Sequence, residues 1–458
     1  MPERTGGQEI PRVVIVGGGF GGLYAARGLA KAPVQVTLVD KRNYHLFRPM
    51  LYQVATGLLS ADEIAAPLRS ILSRQQNVEV LMADVTGIDT QSRLVQLPQC
   101  PILYDYLILA TGIQYNYFGH AEWEYFAPGL DSLDDADRIR GKILLAFESA
   151  ERLVACGEAD PEVIRELLTF VLVGAGTVGV EMAGTMAEMS RMALAHDFRH
   201  FDPRSARILL YEAAPRILPT FTDNLAAKAH RHLEQLGVNI FTGTPVEAVD
   251  AGGIIAGGKR IRSRTVLWCA GVMASPAANW LGAPADKSGK VIVNPDLSVV
   301  GHPNIFAIGD TAQVIAYTRN LLGFKSAEPQ KLPGVAQPAI QGGKYVAGVI
   351  RRRVAGQEPP APFWYWDKGD LAVVGRTFAV ADLRLARFAG FFAWLLWAGV
   401  HIYFLIGFAN RLFVMLRWSM VFFTKRRGVR VFPTQKTPAE VPSSSAAQPR
   451  SQNASSSH

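Results

Sequence analysis

The chain has 458 residues with 47 Lys and Arg against 39 Asp and Glu, a net charge of +8, which is long enough for two or three domains with separate cores. Location excludes a nucleic-acid role for the surplus: residues 376–430 hold nine Arg and Lys against one acid, Asp382, interleaved with aromatic and aliphatic residues as an anionic lipid surface requires, not lined along a polar face. The three cysteines, Cys100, Cys156 and Cys269, are widely spaced and odd in number, which excludes a disulfide framework or a Cys-x-x-Cys pair; each is expected to be a small buried or half-buried thiol.

In chain order, Met1 to Gln8 is polar and lacks the apolar core of a signal peptide, so the body is expected in the cytoplasm. The first element is an apolar run, Val13 to Val16, leading into Gly17-Gly18-Gly19-Phe20-Gly21-Gly22. A buried strand followed by glycines at relative positions one, three and six lets the backbone turn, approach a pyrophosphate and pack a helix on the sheet. The helix N-terminus then faces the phosphates. A second strand, Val34 to Val39, ends on Asp40, where a carboxylate can accept from both hydroxyls of an adenosine ribose. Further on, Tyr106 to Leu109 runs into the small turn Ala110-Thr111-Gly112.

The same four features then recur. Phe170 to Val173 enters Gly174-Ala175-Gly176-Thr177-Val178-Gly179, Arg207 to Tyr211 ends on Glu212, and Val266 to Trp268 runs into Cys269-Ala270-Gly271. The interval from Gly17 to Gly112 nearly equals that from Gly174 to Gly271, so the chain carries two dinucleotide-binding units. Between them, Ser132 to Glu166 has the composition of helices. After the second unit, Asn304 to Ile308 reads as a strand ending on Gly309-Asp310, and Gln337 to Arg352 as a helix, so the chain returns to the first domain and the second is an insertion. Thr318 to Pro333 reads as a loop and Trp364 to Gly375 as strands. Phe388 to Ala409 runs 22 residues without Asp, Glu, Lys or Arg, long enough to span a bilayer. Gly390, Gly399, His401 and Gly407 interrupt it, and the run from Arg411 to Arg427 that follows is too cationic to cross back, so helices lying in the headgroup layer are expected. Beyond Pro433, Ser, Ala, Gln and Pro predict disorder.

With these residues in hand the chain resembles the type II NADH:quinone oxidoreductases, among the two-dinucleotide-binding flavoproteins. The specific motifs are Tyr44-His45-Leu46-Phe47-Arg48-Pro49-Met50-Leu51-Tyr52-Gln53-Val54-Ala55 and Ala336-Gln337-Pro338-Ala339-Ile340-Gln341, with the apolar, cationic C-terminus. The implied fold is α/β, with two Rossmann-like domains, the second inserted in the first, and a C-terminal membrane-associating helical region. The resemblance divides it into an FAD-binding domain (1–128 and 279–350), an NADH-binding domain (129–278), a membrane-anchoring region (351–432) and a tail (433–458).

It implies FAD held by Gly17, Gly19, Gly22, Asp40, Lys41, Val85, Thr111, Gly112, Asp310 and Ala339, and NADH by Gly174, Gly176, Gly179, Glu212 and Gly271. A carboxylate at Glu212 repels a 2′-phosphate, so NADH is favoured over NADPH, although Arg216 stands four residues on. Glu181 is implied beside the nicotinamide and flavin; on residues alone, the alternative is a carboxylate favoured by the helix dipole. Gln337 and Gln341, four apart on one helical face, are implied to hydrogen-bond quinone carbonyls. No metal is implied; His196 and His200 are four apart but lack a third ligand nearby. Some members carry a Lys in the C-terminal membrane region near the quinone, and here only His401 and Tyr403 can carry protons in that run, Lys368 being assigned a structural role. The implied partners are a quinone, menaquinone or ubiquinone, and the lipid surface on the cytoplasmic face, with room for a homodimer. A disulfide reductase fails because Lys41 to Ser60 contains no cysteine. A sulfide:quinone reductase, a soluble ferredoxin reductase and a non-enzymatic NADH sensor are the remaining alternatives.

Overall fold

A computed structural model of the chain describes residues 10–424 and 428–431. The polar start, the cations at 425–427 and the tail expected to be disordered lie outside the described residues.

Runs of β-branched and aliphatic residues form the strands, and parallel pairing buries them on both faces. The first sheet has six strands in the order Ser298–Val299, His302–Ala307, Tyr106–Leu109, Arg12–Val16, Gln35–Asp40 and Val78–Met82, parallel apart from the first pair. The expected return of the chain is therefore real: His302–Ala307, close to three hundred residues along, pairs with Tyr106–Leu109. The second sheet, Val238–Phe241, Arg207–Tyr211, Thr169–Val173 and Thr265–Trp268, repeats the parallel arrangement. Two strands cross between the units, Ile113–Tyr115 antiparallel to Val272–Ala274.

The helix Phe20–Gly28 after the first fingerprint packs on Ala336–Val354 so tightly that a Cβ at Gly343 would lie 2.3 Å from the Gly21 carbonyl oxygen. That contact carries the Gln337 end of the second helix to the first fingerprint. The helices expected from Ser132 to Glu166 are Leu133–Ala155, capped by Ser132 and Asp135, and Pro161–Leu167.

The C-terminal region belongs to the body. Trp397, Leu405 and Val414 share one buried core with Leu172 and Val180 of the second unit and with Met50 and Val54 of the short helix Leu51–Ala55 and its approach. Three antiparallel strands, Asp370–Val373, Ala379–Asp382 and Arg387–Gly390, lead to the helices Phe391–Phe404 and Phe408–Thr424. The charge-free run thus starts as a strand and breaks at Leu405 to Gly407, where Gly407 takes φ +96°. No helix of the described residues is long and apolar enough to cross a membrane.

Two expectations change. Thr318 to Pro333 is not a plain loop: Ile315–Arg319 pairs with Gln330–Lys331 and with Trp364–Trp366, because the β-branched and aromatic alternation that starts at Ile315 runs on to Arg319. Cys100 and Cys156 are exposed, the first in a connection and the second at the end of the helix Leu133–Ala155, where no apolar face covers them; Cys269 alone is half-buried.

Candidate functional site

The two fingerprints fold identically. Gly17 and Gly174 adopt φ of +105° and +99°, the left-handed region open to glycine. A Cβ on Gly22 would lie 1.9 Å from the Gly17 carbonyl oxygen, and one on Gly179 lies 1.9 Å from that of Gly174, so helix and strand touch backbone to backbone. Gly19 and Gly176 are the opposite case. Each stands just before its helix, and a Cβ there meets nothing within 4 Å. Unfilled space in front of free helix N–H groups is the shape a pyrophosphate requires.

The strand-end acids also match. Asp40 accepts from the Gly18 N–H at 2.6 Å and from Arg42 N–H at 2.7 Å, and Glu212 accepts from Ala175 N–H at 2.6 Å and Ala214 N–H at 2.8 Å. Each carboxylate steadies its own glycine loop and keeps acceptor capacity for ribose hydroxyls. Burial raises the Asp40 pKa against the pull of those amides. Arg216 is engaged elsewhere: its guanidinium donates to the Phe221 carbonyl at 2.7 Å and to Pro219 at 3.0 Å, and pairs with Asp223 at 3.3 Å.

The turn of the first unit is tied to the returning strand and, through Ser275, to the end of the second unit. Thr311 Oγ1 accepts from Gly112 N–H at 2.8 Å and lies 3.2 Å from Thr111 Oγ1, which also bonds Ser275. Gly112 and Gly271 both have positive φ, as their turns require. Beside them Asp310 is half-buried, and its desolvation raises its pKa, with Lys290 and Arg48 pulling the other way. Among the described residues its oxygens accept no hydrogen bond, so a hydroxylated ligand fits there. Ala339 packs on the Gly309 turn. Val85 is half-buried just beyond Ala83, whose N–H donates to the Asp40 carbonyl, whereas Lys41 is exposed.

Glu181 is 6% exposed, beyond the first turn of the helix Thr177–Glu188. Burial raises its pKa well above the usual carboxylate range, and the Val373 N–H at 3.4 Å is a weak counterweight. A dipole-stabilised carboxylate would have a lowered pKa, whereas burial here favours the neutral acid. Gln337 and Gln341 do share one face of the helix, but with different partners. The Gln341 amide is clamped on the Trp366 backbone, donating to its carbonyl at 3.0 Å and accepting from its N–H at 2.9 Å. Among the described residues the Gln337 amide makes no hydrogen bond. His200 is paired with Glu151 at 2.8 Å.

Sequence reasoning gave no role to His45, whose Nδ1 lies 2.9 Å from the Gly18 carbonyl oxygen and whose burial lowers its pKa to about 4. A lone histidine in an apolar strand gives no signal of a partner 27 positions earlier. Edge-to-face contacts then run from His45 to Phe20, Phe47 and His401. His401 stacks on Trp397, and burial lowers its pKa to about 4 as well. Trp418 donates to Gln53 at 2.8 Å, and Arg417 pairs with Glu63 at 3.1 Å, so the last helix is pinned to the segment after the first fingerprint. Burial also pushes the Cys269 thiol up to about 12, which leaves it protonated and unreactive.

Residues 11–343 match the family model of the pyridine nucleotide-disulphide oxidoreductases. The chain is 44% identical to the type II NADH:quinone oxidoreductase Ndh of Mycobacterium tuberculosis, over 91% of this chain and 89% of the relative. It is 42% identical to the NdhA protein of the same name and organism, over 95% and 91%. Among solved structures it superposes on NDH2 of Plasmodium falciparum, in complex with RYL-552, with a TM-score of 0.80 at 21% identity, covering 91% of this chain and 99% of that one.

Proposed function

The chain belongs to the type II NADH:quinone oxidoreductases, and from that membership we propose an assignment of roles to its residues. It is an FAD-dependent enzyme that takes a hydride from NADH and passes two electrons to quinone without pumping protons. FAD supplies the relay between a two-electron donor and a two-electron acceptor.

The first unit holds FAD, with Gly17, Gly19 and Gly22 leaving room for its pyrophosphate, Asp40 accepting from its ribose and Asp310 from a further hydroxyl, while Lys41, Val85, Thr111, Gly112 and Ala339 border it. The second holds NADH through Gly174, Gly176, Gly179, Glu212 and Gly271. Arg216 is held on backbone carbonyls and Asp223, so Glu212 sets the coenzyme preference and disfavours a 2′-phosphate. Glu181, buried and with its pKa raised by that burial, orients the nicotinamide by a hydrogen bond from its carboxyl group.

On the quinone side the Gln337 amide, which makes no hydrogen bond among the described residues, donates to a carbonyl oxygen. Gln341 has one N–H left after its Trp366 bonds and fixes the strand that frames the acceptor. The observation that carries this reading is the duplicated loop-and-acid geometry, two open N-termini each backed by a bonded carboxylate, on one chain with the Gln337 helix packed against the first. Reactive cysteines, which a sulfide-oxidising flavoprotein needs, are absent among the described residues near these loops: Cys269 is held protonated and the other two are exposed in distant connections.

The enzyme associates with the membrane peripherally. The docking face is the helix pair Phe391–Phe404 and Phe408–Thr424, which exposes Phe392, Phe408, Phe413, Met420 and Phe423 beside Arg411 and Arg417, and it lies on the cytoplasmic leaflet. Reconstituted in vesicles, the protein should oxidise NADH with a lipid-soluble quinone and leave the internal pH unchanged; acidification would overturn the non-pumping assignment.

A further inference from the structure

We propose that the arm Ile315 to Lys331 is a second membrane-docking element, whose tip Leu321-Leu322-Gly323-Phe324 enters an anionic headgroup layer beside the C-terminal helices. The inference rests on the reading of those helices as the docking face and adds a separate part of the chain to it.

The tip is built, yet it buries nothing. The Asn320 side chain accepts from the N–H groups of Leu322 at 3.1 Å and Phe324 at 3.0 Å, and the Gly323 N–H donates to the Asn320 carbonyl at 2.9 Å, with Gly323 at φ +84°. A turn so fixed holds Leu322 at 72% exposure and Phe324 at 65%, and neither residue joins any of the three apolar cores. Ordered apolar side chains left in water are unfavourable unless something covers them.

What surrounds the tip identifies the cover. Arg319 and Lys325, one on each side, both stack their cations on Trp364, at 4.9 and 5.2 Å, while Tyr317 lies stacked on the same ring. Trp366, half exposed, donates from its indole to the Asn320 carbonyl at 3.1 Å. An apolar tip, an aromatic belt and a cationic collar in that order match the depth profile of an anionic membrane surface, from acyl boundary to phosphate.

The arm is also continuous with the helical face. Lys368 lies 5.6 Å from the Trp366 ring and 5.2 Å from that of Phe404, the last residue of the helix Phe391–Phe404. Because Gln341 grips the Trp366 backbone, the arm and the helix end flank the same end of the Gln337 helix. A lipid-soluble acceptor would then pass between two docked elements.

The test uses the full flavin-loaded enzyme with Cys100 and Cys156 changed to Ser and a nitroxide attached at one new cysteine, Leu322→Cys, Phe423→Cys or Tyr125→Cys. Bound to vesicles of phosphatidylcholine with phosphatidylglycerol, the labels at 322 and 423 should gain collisions with oxygen and lose them with a nickel chelate, while the label at 125 should not change. A buried label at 423 with a water-exposed one at 322 overturns the arm and leaves the helices in place. Water exposure at both overturns the docking face itself. A label at 322 that is shielded without vesicles, in proportion to protein concentration, shows a second copy as the cover and also overturns the proposal. Phe324→Glu should weaken vesicle partitioning about tenfold, with NADH reduction of the flavin in detergent unchanged; equal partitioning would count against the arm.

Discussion

The Glu181 carboxyl, on the helix after the second fingerprint, accepts the N–H of Val373, on a strand nearly two hundred residues later, at 3.4 Å. One weak bond is the whole of its described protein partnership, and burial raises its pKa well above the usual carboxylate range.

Glu181→Gln keeps the shape and the neutral charge, so the fold should tolerate it. The sign of its pH effect follows from the raised pKa: the stabilising neutral form is complete below the ordinary carboxylate range and is lost as pH rises through the folded value. Wild-type thermal stability should therefore decline toward alkaline pH, and the Gln variant should decline less. Flavin reduction by NADH should slow by about tenfold to a hundredfold where the carboxyl proton matters. Stopped-flow reduction across pH and melting curves read both; parallel melting curves would remove the buried acid from the account.

Glu212→Arg should reverse or strongly narrow the preference for NADH over NADPH, read as the ratio of kcat/KM values. The substitution also removes the acceptor of the Ala175 and Ala214 N–H groups. A loss of about 1–3 kcal/mol in stability is expected beside the change in preference. An unchanged ratio would move the adenosine ribose away from this strand end.

The two glutamines should separate. Gln337→Ala should raise the quinone KM about tenfold, the factor of one lost hydrogen bond in a site dry enough to make it count, with flavin reduction and melting temperature unchanged. Gln341→Ala should lower the melting temperature as well, because it frees the Trp366 strand. Equal effects on stability would mean that both amides are structural.

Desolvation lowers the pKa of the buried His45 and of the half-buried His401 to about 4. Their contribution to stability is present above the ordinary histidine value of 6.5 and is lost as pH falls from there toward 4, by up to about 3 kcal/mol each. His45→Asn keeps a donor toward the Gly18 carbonyl and should flatten the fall in melting temperature over that window. A fall as steep as in the wild type would assign the acid sensitivity to other groups.

Both fingerprints, their acids, the returning strand and the break in the C-terminal run were legible because each rests on a local signal: glycine spacing, a strand ending on a carboxylate, or a glycine interrupting an apolar stretch. What was not legible depends on contacts between distant segments. Nothing near Gln341 shows that its amide would be taken by the Trp366 backbone, and nothing near Cys156 shows that its helix end would lie uncovered. The C-terminal run reads in the sequence as a separate membrane-anchoring region. In the fold Trp397 is buried against the second unit, so removing residues 385–432 would open the core, and point changes such as Phe423→Glu test membrane binding more cleanly.

The central claim is that one pocket admits NADH and another admits quinone, with a flavin between them. Anaerobic titration of the purified yellow protein with NADH, followed by a lipid-soluble quinone, addresses it directly. Stoichiometric bleaching of the flavin absorbance by NADH and its full return on adding quinone is the predicted course. A protein that keeps no flavin, or one whose bleached flavin quinone cannot restore, would contradict the account.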